Sequence, residues 1–430
     1  MKTFRPPCTS RERAFTLVEI MISTGLISVI MLLLVGTIDQ TQRVWKRTTE
    51  KTSQFQAARG AFESMNRRLS QATLNTYWRA HEVDTNLQTS DFLFRRQSEL
   101  QFISGPTRRF FGSTPQLINL STPVDKAYPG HAMFFQAPIG FTEEPDTDKY
   151  QAPKFRNLDS LLTACGYFVE YGPETDRPEF LAKMSPPPSL KYRFRLMEMT
   201  VPTEHLQVYY RPQNKDDIGY ADPRIFDRSN NYYVGMTDSK RKSNPNWNRP
   251  LWMEEAFLRE KVTGVPIDRF RYAHVRADNI VGMIILPKLA EKDRVIPGTK
   301  SHDSKQLALA PEYEFDSWRI LSGGTVNSYD LKIKLDNTAR DNLLPPIVQV
   351  TMIAVDEASM VRANASESNI PSWLDGLFLN VKTVDDYMDD VRKLEKKLLD
   401  DPNKPNYRIF STDVLLRASK WSRDPQDKAN

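Results

Sequence analysis

The chain has 430 residues, of which 40% are hydrophobic and 26% are charged. This composition excludes a protein that crosses a membrane many times, and it leaves enough apolar material for a globular core. The 59 basic and 54 acidic residues give a net charge of +5, which is too small to indicate nucleic acid as a partner.

The number of cysteines excludes further classes of protein. Only Cys8 and Cys165 are present, so the chain can build neither a disulfide framework nor a four-cysteine zinc site. Cys165 lies in an apolar, strand-like run at residues 161–169. Such surroundings predict a buried structural cysteine rather than a reactive thiol.

A long apolar segment follows a short basic N-terminus. Residues 1–14 carry four basic side chains and one acidic side chain, whereas residues 15–38 contain a single charged residue, Glu19. As a helix, these 24 residues span roughly 36 Å, which is enough to cross a bilayer. Three interpretations are open: a cleaved secretory signal, a plain signal anchor, and a prepilin segment cut before its apolar part. The first is disfavoured because the run is too long and lacks an A-x-A-like site.

Glu19 helps to separate the two remaining interpretations. Basic residues both precede and follow the segment, so the positive-inside rule does not fix its orientation. A carboxylate five residues into an apolar run costs a few kcal/mol at depth and needs a reason. A plain anchor would explain Glu19 only as an interfacial residue near the cytoplasmic edge.

The segment around Glu19 carries a family motif and reads Arg13-Ala14-Phe15-Thr16-Leu17-Val18-Glu19. It resembles the class III signal of type IV pilins and type II secretion pseudopilins, in which a basic leader and a small residue precede Phe-Thr-Leu-x-Glu. The resemblance implies that a prepilin peptidase cleaves between Ala14 and Phe15 and that the new amine of Phe15 is N-methylated. Glycine usually stands before the cut in that family, and Ala14 takes its place here.

The resemblance also implies how the subunit assembles. The α-amine created at Phe15 has a reference pKa of about 7.7 to 8.0 and is largely protonated near neutrality, which makes Glu19 its natural ionic partner. In a growing filament, Glu19 receives the amine of a neighbouring subunit, and this pairing offsets the desolvation of both charges. The implied partners are the prepilin peptidase, other pseudopilin or pilin subunits, an inner-membrane assembly platform and membrane lipid. The implied location is the cytoplasmic (inner) membrane, with a single pass, the N-terminus in the cytoplasm and the head in the periplasm or outside the cell.

The helical pattern continues beyond the membrane segment. Apolar residues recur at spacings of three and four, which places them in one stripe of a helix; they are Phe55, Ala58, Phe62, Met65, Leu69 and Ala72. We therefore expect one helix from Phe15 to about Thr73, with residues 15–38 in the membrane and an amphipathic extramembrane part at residues 39–76. With a globular head this gives the lollipop architecture of pilins. A coiled-coil spacer after a signal anchor would fit the stripe equally well.

Residues 77–430 predict a large, mainly β head. Strand-like segments occupy residues 100–104, 132–136, 166–171, 192–199, 206–210, 280–286 and 347–355. In residues 192–199 the apolar side chains alternate, as in a half-buried antiparallel strand. Polar, proline-marked stretches at residues 211–248 and 290–311 are interpreted as insertions or long loops. The predicted fold class is α+β, with a long N-terminal helix and a large antiparallel sheet.

A second amphipathic helix and a last strand end the sequence. The helix has Thr383 and Asp386 spaced as a capping box, and its apolar stripe consists of Val384, Tyr387, Met388, Val391, Leu394 and Leu398. Residues 407–416 predict the strand. With the helix after Trp45 and a strand at residues 343–353, these elements resemble the large prepilin-like cassette proteins of verrucomicrobial bacteria, cassette protein C among them, and more distantly the J-type minor pseudopilin. The resemblance covers the N-terminus well and the head loosely.

No catalytic motif is recognisable. The five histidines are scattered, and the sequence contains no nucleophile elbow, P-loop or dinucleotide fingerprint. Two acidic runs are interpreted as solvated surface rather than as cation sites; they are residues 143–148 and the row Asp385, Asp386, Asp389 and Asp390. The basic loop at residues 240–249 is short and isolated. We therefore expect a non-enzymatic protein without cofactor, metal or nucleic acid partner.

The sequence predicts a structural minor pseudopilin or prepilin-like subunit of a type II secretion or type IV pilus-like machine. Its head exceeds that of typical pseudopilins, which favours a filament tip over a repeating shaft. The alternative is a signal-anchored extracytoplasmic binding protein that does not polymerise.

Overall fold

The computed structural model has an α+β fold that divides into two compact units, Met1–Gln54 and Phe55–Asn430. The residues that it describes are 16–81, 93–111, 124–142, 160–174, 179–182, 184–186, 188–203, 206, 226–227, 232–233, 259–260, 269–289, 309–310, 313–317, 342–366, 368–381 and 384–419.

The longest element is helix α1, Leu17–Leu69, with 53 residues. It contains no proline, so nothing interrupts its ladder of backbone hydrogen bonds. The helix ends earlier than the predicted Thr73 and residue 76. Its last turn tightens where the Ala72 N–H donates to the Leu69 carbonyl at 3.0 Å, and the Thr73 N–H then leaves the helix to donate to Gln136.

The remaining described elements are short helices and antiparallel strands. The helices are α2 (Arg108–Phe111), α3 (Val124–Ala127), α4 (Glu179–Ala182), α5 (Glu357–Arg362) and α6 (Val384–Leu399). The strands are β1 (Tyr77–His81), β2 (Leu93–Gln97), β3 (Ile103–Pro106), β4 (His131–Pro138), β5 (Leu162–Pro173), β6 (Tyr192–Val201), β7 (Phe226–Asp227), β8 (Tyr232–Tyr233), β9 (Arg259–Glu260), β10 (Arg269–Phe270), β11 (Ala273–Asp278), β12 (Ile280–Lys288), β13 (Phe315–Asp316), β14 (Ile347–Val355) and β15 (Tyr407–Leu415).

Two antiparallel sheets form the body of the second unit. The larger one has the order β11-β6-β5-β4-β3-β13, and the smaller one has the order β12-β14-β15. Strand β12 packs on β4, β5 and β6, which joins the two sheets. Gly130, with φ 77°, permits a close approach to β12, because a Cβ there would lie 2.6 Å from the carbonyl oxygen of Met283.

Most predicted strands that fall on described residues are confirmed. Strand β14 has the bounds of the predicted segment 347–355 but starts later than the strand predicted at 343–353, because Pro345 and Pro346 have no N–H to donate to a neighbouring strand. Strand β15 differs by one residue, and β4, β5, β6 and β12 extend beyond the predicted segments. Strand β3 begins at Ile103 rather than at Leu100. The reason is that the N–H groups of Gln101 and Phe102 donate to the side chains of Gln136 and Ser317 instead of to a neighbouring strand.

Strand β6 departs from the predicted half-buried pattern. Four consecutive residues, 194–197, are buried, so this part of the strand is covered on both faces. The charged member is Arg195, which lies opposite Glu170 in β5. Its Nη2 lies 3.2 Å from the Glu170 carboxylate, and each side chain is only 5% exposed. A buried arginine is tolerated here because a carboxylate pairs with it across the strands.

The apolar stripe of α1 is buried as predicted. Ala58, Phe62, Met65 and Leu69 all belong to the core of the second unit, together with Ala72 just after the helix. The Phe62 ring lies 5.9 Å from the Phe410 ring in β15, measured between centroids. This segment is therefore a packed part of the head and not a free spacer.

Helix α6 confirms the predicted C-terminal helix, but its predicted apolar stripe is not buried throughout. Tyr387, Leu394 and Leu398 are buried, but Met388 is 46% exposed and does not belong to the buried face. The predicted cap residue Thr383 lies outside the described residues. At the other end, the Lys397 ammonium donates to the carbonyls of Ser372 and Asp375.

Several predicted segments fall largely outside the described residues. Of the predicted strand at 206–210 only Leu206 is described, and of the insertion at 211–248 only β7 and β8 are described. Of residues 290–311, Leu309 and Ala310 are described, and both are buried. Neither residue belongs to a helix or strand, in agreement with the predicted loop, and both pack in the head.

Candidate functional site: the apolar helix and its first turn

The predicted processing site borders the first described residue. Ala14 and Phe15 lie outside the described residues, Thr16 is the first residue described, and α1 begins at Leu17. Glu19 is therefore in the first turn of the helix, and it is exposed. The structure thus places the predicted assembly residue directly at the start of the apolar helix.

Thr16 caps this helix end. Its hydroxyl accepts a hydrogen bond from the Glu19 N–H at 3.3 Å, and its carbonyl accepts from the N–H groups of Glu19 and Ile20. Thr16-x-x-Glu19 matches the capping-box pattern, a threonine followed three residues later by a glutamate. Sequence reasoning missed this role although the pattern is visible in the sequence. A carboxylate in the first turn also interacts favourably with the helix dipole.

The apolar part of α1 meets the length and composition required to cross a membrane. None of its most apolar 18-residue window is buried, unlike the core helix of a soluble protein. The exposed apolar residues include Leu17, Ile22, Ile30 and Leu34. Leaving such a surface in water is unfavourable, so the segment requires an apolar environment around it.

Hydroxyl groups inside this segment are satisfied within the helix. Ser23 donates to the Glu19 carbonyl at 2.7 Å, Thr24 to the Ile20 carbonyl at 2.9 Å, and Ser28 to the Thr24 carbonyl at 2.8 Å. Backbone carbonyls four residues earlier are the partners that such side chains use in helices. These polar residues consequently do not prevent the helix from entering lipid.

The helix becomes polar after Ile38. Arg43 pairs with Asp39 at 2.8 Å, and Lys46 lies 4.0 Å from Glu50, both at the i,i+4 spacing. All four side chains are more than half exposed, and such pairs are typical of a helix surface in water. The apolar and polar parts therefore meet near residue 38, where the sequence predicted the end of the membrane segment.

The acidic row of α6 differs from the predicted solvated face at one position. Asp389 pairs with Arg392 on the surface at 2.8 Å. The side chain of Asp390, however, is only 13% exposed, and it accepts from the Phe378 N–H at 3.1 Å and from Lys393 at 2.9 Å. Asp390 thus anchors the turn at Phe378, whose φ is 56°. Within the described residues, no group of three or more histidine, cysteine or acidic side chains is placed to hold a metal.

His131 is a structural histidine of the core. It is fully buried, its Nδ1 accepts from the Ile285 N–H at 3.1 Å, and its Nε2 donates to the Phe378 carbonyl at 3.0 Å. Burial lowers its pKa from 6.5 to about 4, so the ring is neutral near pH 7. Both ring nitrogens are engaged with the backbone, which leaves neither for catalysis. His274 is exposed in β11, while His205 and His302 lie outside the described residues.

Cys165 is buried in β5, as predicted for a structural cysteine. Burial raises the pKa of its thiol to about 12, which keeps it protonated and unreactive at neutral pH. Cys8, the acidic run at 143–148 and the basic loop at 240–249 lie outside the described residues.

No family model, no curated protein and no solved structure matches this chain.

Proposed function

We propose that the chain is a structural minor pseudopilin or prepilin-like subunit of a type II secretion or type IV pilus-like machine. The observation that carries the proposal is Glu19 in the first turn of an exposed apolar helix, directly after the sequence Ala14-Phe15-Thr16. A signal anchor needs the apolar length, but it does not need a negative charge in that position. A subunit that must receive a neighbour's amine needs that charge.

In this proposal, the prepilin peptidase cuts between Ala14 and Phe15, and the amine of Phe15 is methylated. The cation of one subunit then pairs with Glu19 of the next, which offsets the cost of holding each charge in an apolar environment. The leader lies in the cytoplasm, α1 crosses the inner membrane once, and the head lies in the periplasm or beyond. The pilin-like lollipop architecture belongs to the same proposal, and its support is the unbroken helix Leu17–Leu69.

A signal-anchored binding protein that does not polymerise is the second candidate. The Thr16-x-x-Glu19 spacing favours it, together with the bond from the Glu19 backbone N–H to the Thr16 hydroxyl. A glutamate at this spacing suits a capped helix start without any neighbouring subunit. The two candidates differ in what they require of Glu19. Assembly requires its negative charge, whereas a capping box accepts glutamine equally well.

The test therefore compares Glu19→Gln and Glu19→Val in the full chain. We expect both variants to insert into the membrane, and we expect both to lose incorporation into filaments by on the order of tenfold or more, because the charge pairing is worth a few kcal/mol. Incorporation is measured in the sheared filament fraction, and insertion by resistance to carbonate extraction. Glu50→Gln, on the polar part of the same helix, is the matched control and should assemble normally. Normal incorporation of Glu19→Gln would contradict the proposal.

A further inference from the structure

Trp45 is a large apolar side chain that stands in the polar part of α1. It is 72% exposed, and its neighbour Val44 is 58% exposed. Trp45 lies seven residues after Ile38, the last residue of the apolar run. Neither a core contact nor the proposed pairing of Glu19 accounts for an exposed tryptophan at this position.

The distance along the helix places Trp45 near the surface of a bilayer. Seven residues of helix rise about 10 Å, and the polar headgroup layer on each side of the hydrocarbon core is about 5 to 8 Å thick. Helical side chains lean towards the N-terminus, which here is the membrane side, so the indole reaches back by several ångströms. This brings the ring to the depth of the lipid headgroups.

The residues around Trp45 suit a headgroup layer better than a second helix. Its neighbours one turn away on the helix surface are all polar: Thr41, Gln42, Thr48 and Thr49. A helix–helix seam would instead continue the apolar stripe through these positions. The hydroxyl of Thr41 is already bonded to the Thr37 carbonyl at 2.7 Å, so it does not oppose contact of the ring with less polar surroundings.

The local charge is also complementary to lipid phosphates. Residues 39–51 contain four basic and two acidic side chains, a net charge of +2. The side chains of Arg43 and Lys46 are 71% and 79% exposed, so their long stems have room to reach headgroup oxygens. Tryptophan flanked by cations is the combination that anchors helices at membrane–water interfaces.

We propose that Trp45, with Arg43 and Lys46, forms an interfacial collar that binds the lipid headgroups on the head side of the membrane and fixes the depth of α1. The proposal rests on the membrane segment of the proposed function. It adds a lipid-binding surface at a stated position of the chain. Contact of Trp45 with a partner helix is the competing possibility.

The collar is tested with the full chain in vesicles of phosphatidylcholine and phosphatidylglycerol that carry bromine on the acyl carbons nearest the headgroups, where bromine quenches nearby tryptophan. The chain has seven tryptophans. We expect wild type to lose about one-seventh of its emission and Trp45→Phe to lose almost none. Trp373→Phe is the matched control, because Trp373 is buried in the head, and it should be quenched like wild type.

The outcomes separate this inference from the proposed function. Wild type and Trp45→Phe that both float with the vesicles and are quenched equally would overturn the collar. The proposed membrane segment would still stand, because the protein is bound to the vesicles. Protein that fails to float would instead count against the proposed function. If neither bromolipid nor aqueous acrylamide quenches the emission of Trp45, a partner helix covers the ring. This result would also overturn the collar.

Discussion

His131 links three separate parts of the head through one side chain. It lies at the start of β4, accepts from the backbone of Ile285 in β12, and donates to the backbone of Phe378. The Tyr313 ring lies 4.7 Å away, measured between centroids. Burial raises the pKa of Tyr313, so its phenol is neutral near pH 7. Protonation of Nδ1 would remove its acceptor lone pair and place an uncompensated charge in the core.

This arrangement predicts a specific pH dependence. Because the pKa of His131 is lowered from 6.5 to about 4 in the folded chain, only the unfolded chain binds this proton between those values. The contribution of His131 to stability is therefore complete above pH 6.5 and is lost as the pH falls towards 4. The loss amounts to roughly 3 kcal/mol.

The measurement compares urea unfolding of wild type and His131→Gln, in the full chain in detergent, at pH 7.5 and at pH 4.5. We expect the gap in unfolding free energy between the two proteins to narrow at the lower pH. His274→Gln is the control, because His274 is exposed in β11 and its replacement should change the unfolding free energy only slightly. A gap of constant size for His131→Gln would contradict the assigned role.

Sequence reasoning could not find the role of His131 because its partners are distant in the chain. It could not find the role of Asp390 because the Phe378 N–H, from which Asp390 accepts, lies outside the helix that carries the acidic row. His131 bonds to residues 154 and 247 positions away, and no local pattern encodes such pairs. Glu19 and Cys165 were accessible from sequence, since a lone charge in an apolar run and a cysteine in a strand-like run are both local signals. The capping role of Thr16 was accessible too, because it depends on a spacing of three residues.

At the scale of elements, the head-side part of α1 is held by a stripe of apolar residues and by one ionic cluster. Arg68 lies 3.1 Å from the carboxylate of Glu198 in β6. The same carboxylate accepts from the Tyr167 hydroxyl at 2.6 Å and lies 3.8 Å from Arg276 in β11. Glu198 thus connects the helix to three neighbouring strands of the larger sheet.

Met65→Ala tests the packing of this helix. Met65 is fully buried in the stripe, so removing its side chain leaves a cavity and should lower the unfolding free energy of the head by roughly 2–5 kcal/mol. Urea unfolding of the full chain in detergent measures the change. The matched control is Arg59→Ala on the exposed face, where the pair with Glu63 is worth well under about 1 kcal/mol. Equal stability of Met65→Ala and wild type would show that the stripe is not packed as described.

Element prediction succeeded where periodicity is strong and local. The spacing of Phe55 to Ala72 identified the buried helix face, and the apolar run at 347–355 identified β14. Prediction was less accurate where a backbone N–H donates to a side chain instead of to a neighbouring strand, as at Gln101 and Phe102. It was also less accurate where a charged side chain is buried. The alternating pattern of β6 predicts that a charged residue such as Arg195 faces solvent. Its partner Glu170 lies on another strand, so the local sequence does not show that the charge can be buried.

At the scale of the whole chain, the sequence predicted an α+β fold with antiparallel strands, but not that the body of the head divides into a six-stranded and a three-stranded sheet. The smaller sheet combines β12 with β14 and β15, which are separated from it by long stretches of chain. Strand order depends on which apolar faces meet, and a single sequence does not reveal this. The long apolar helix, in contrast, follows directly from composition and length.

The central claim is that this chain is a processed prepilin-like subunit. The most direct test is the N-terminal sequence and intact mass of the membrane-associated full chain, expressed with and without a prepilin peptidase. The account predicts a mature chain that starts at Phe15 and carries a methylated amine when the peptidase is present. A leader that is retained in the presence of the peptidase, or cleavage after Thr37, would contradict it.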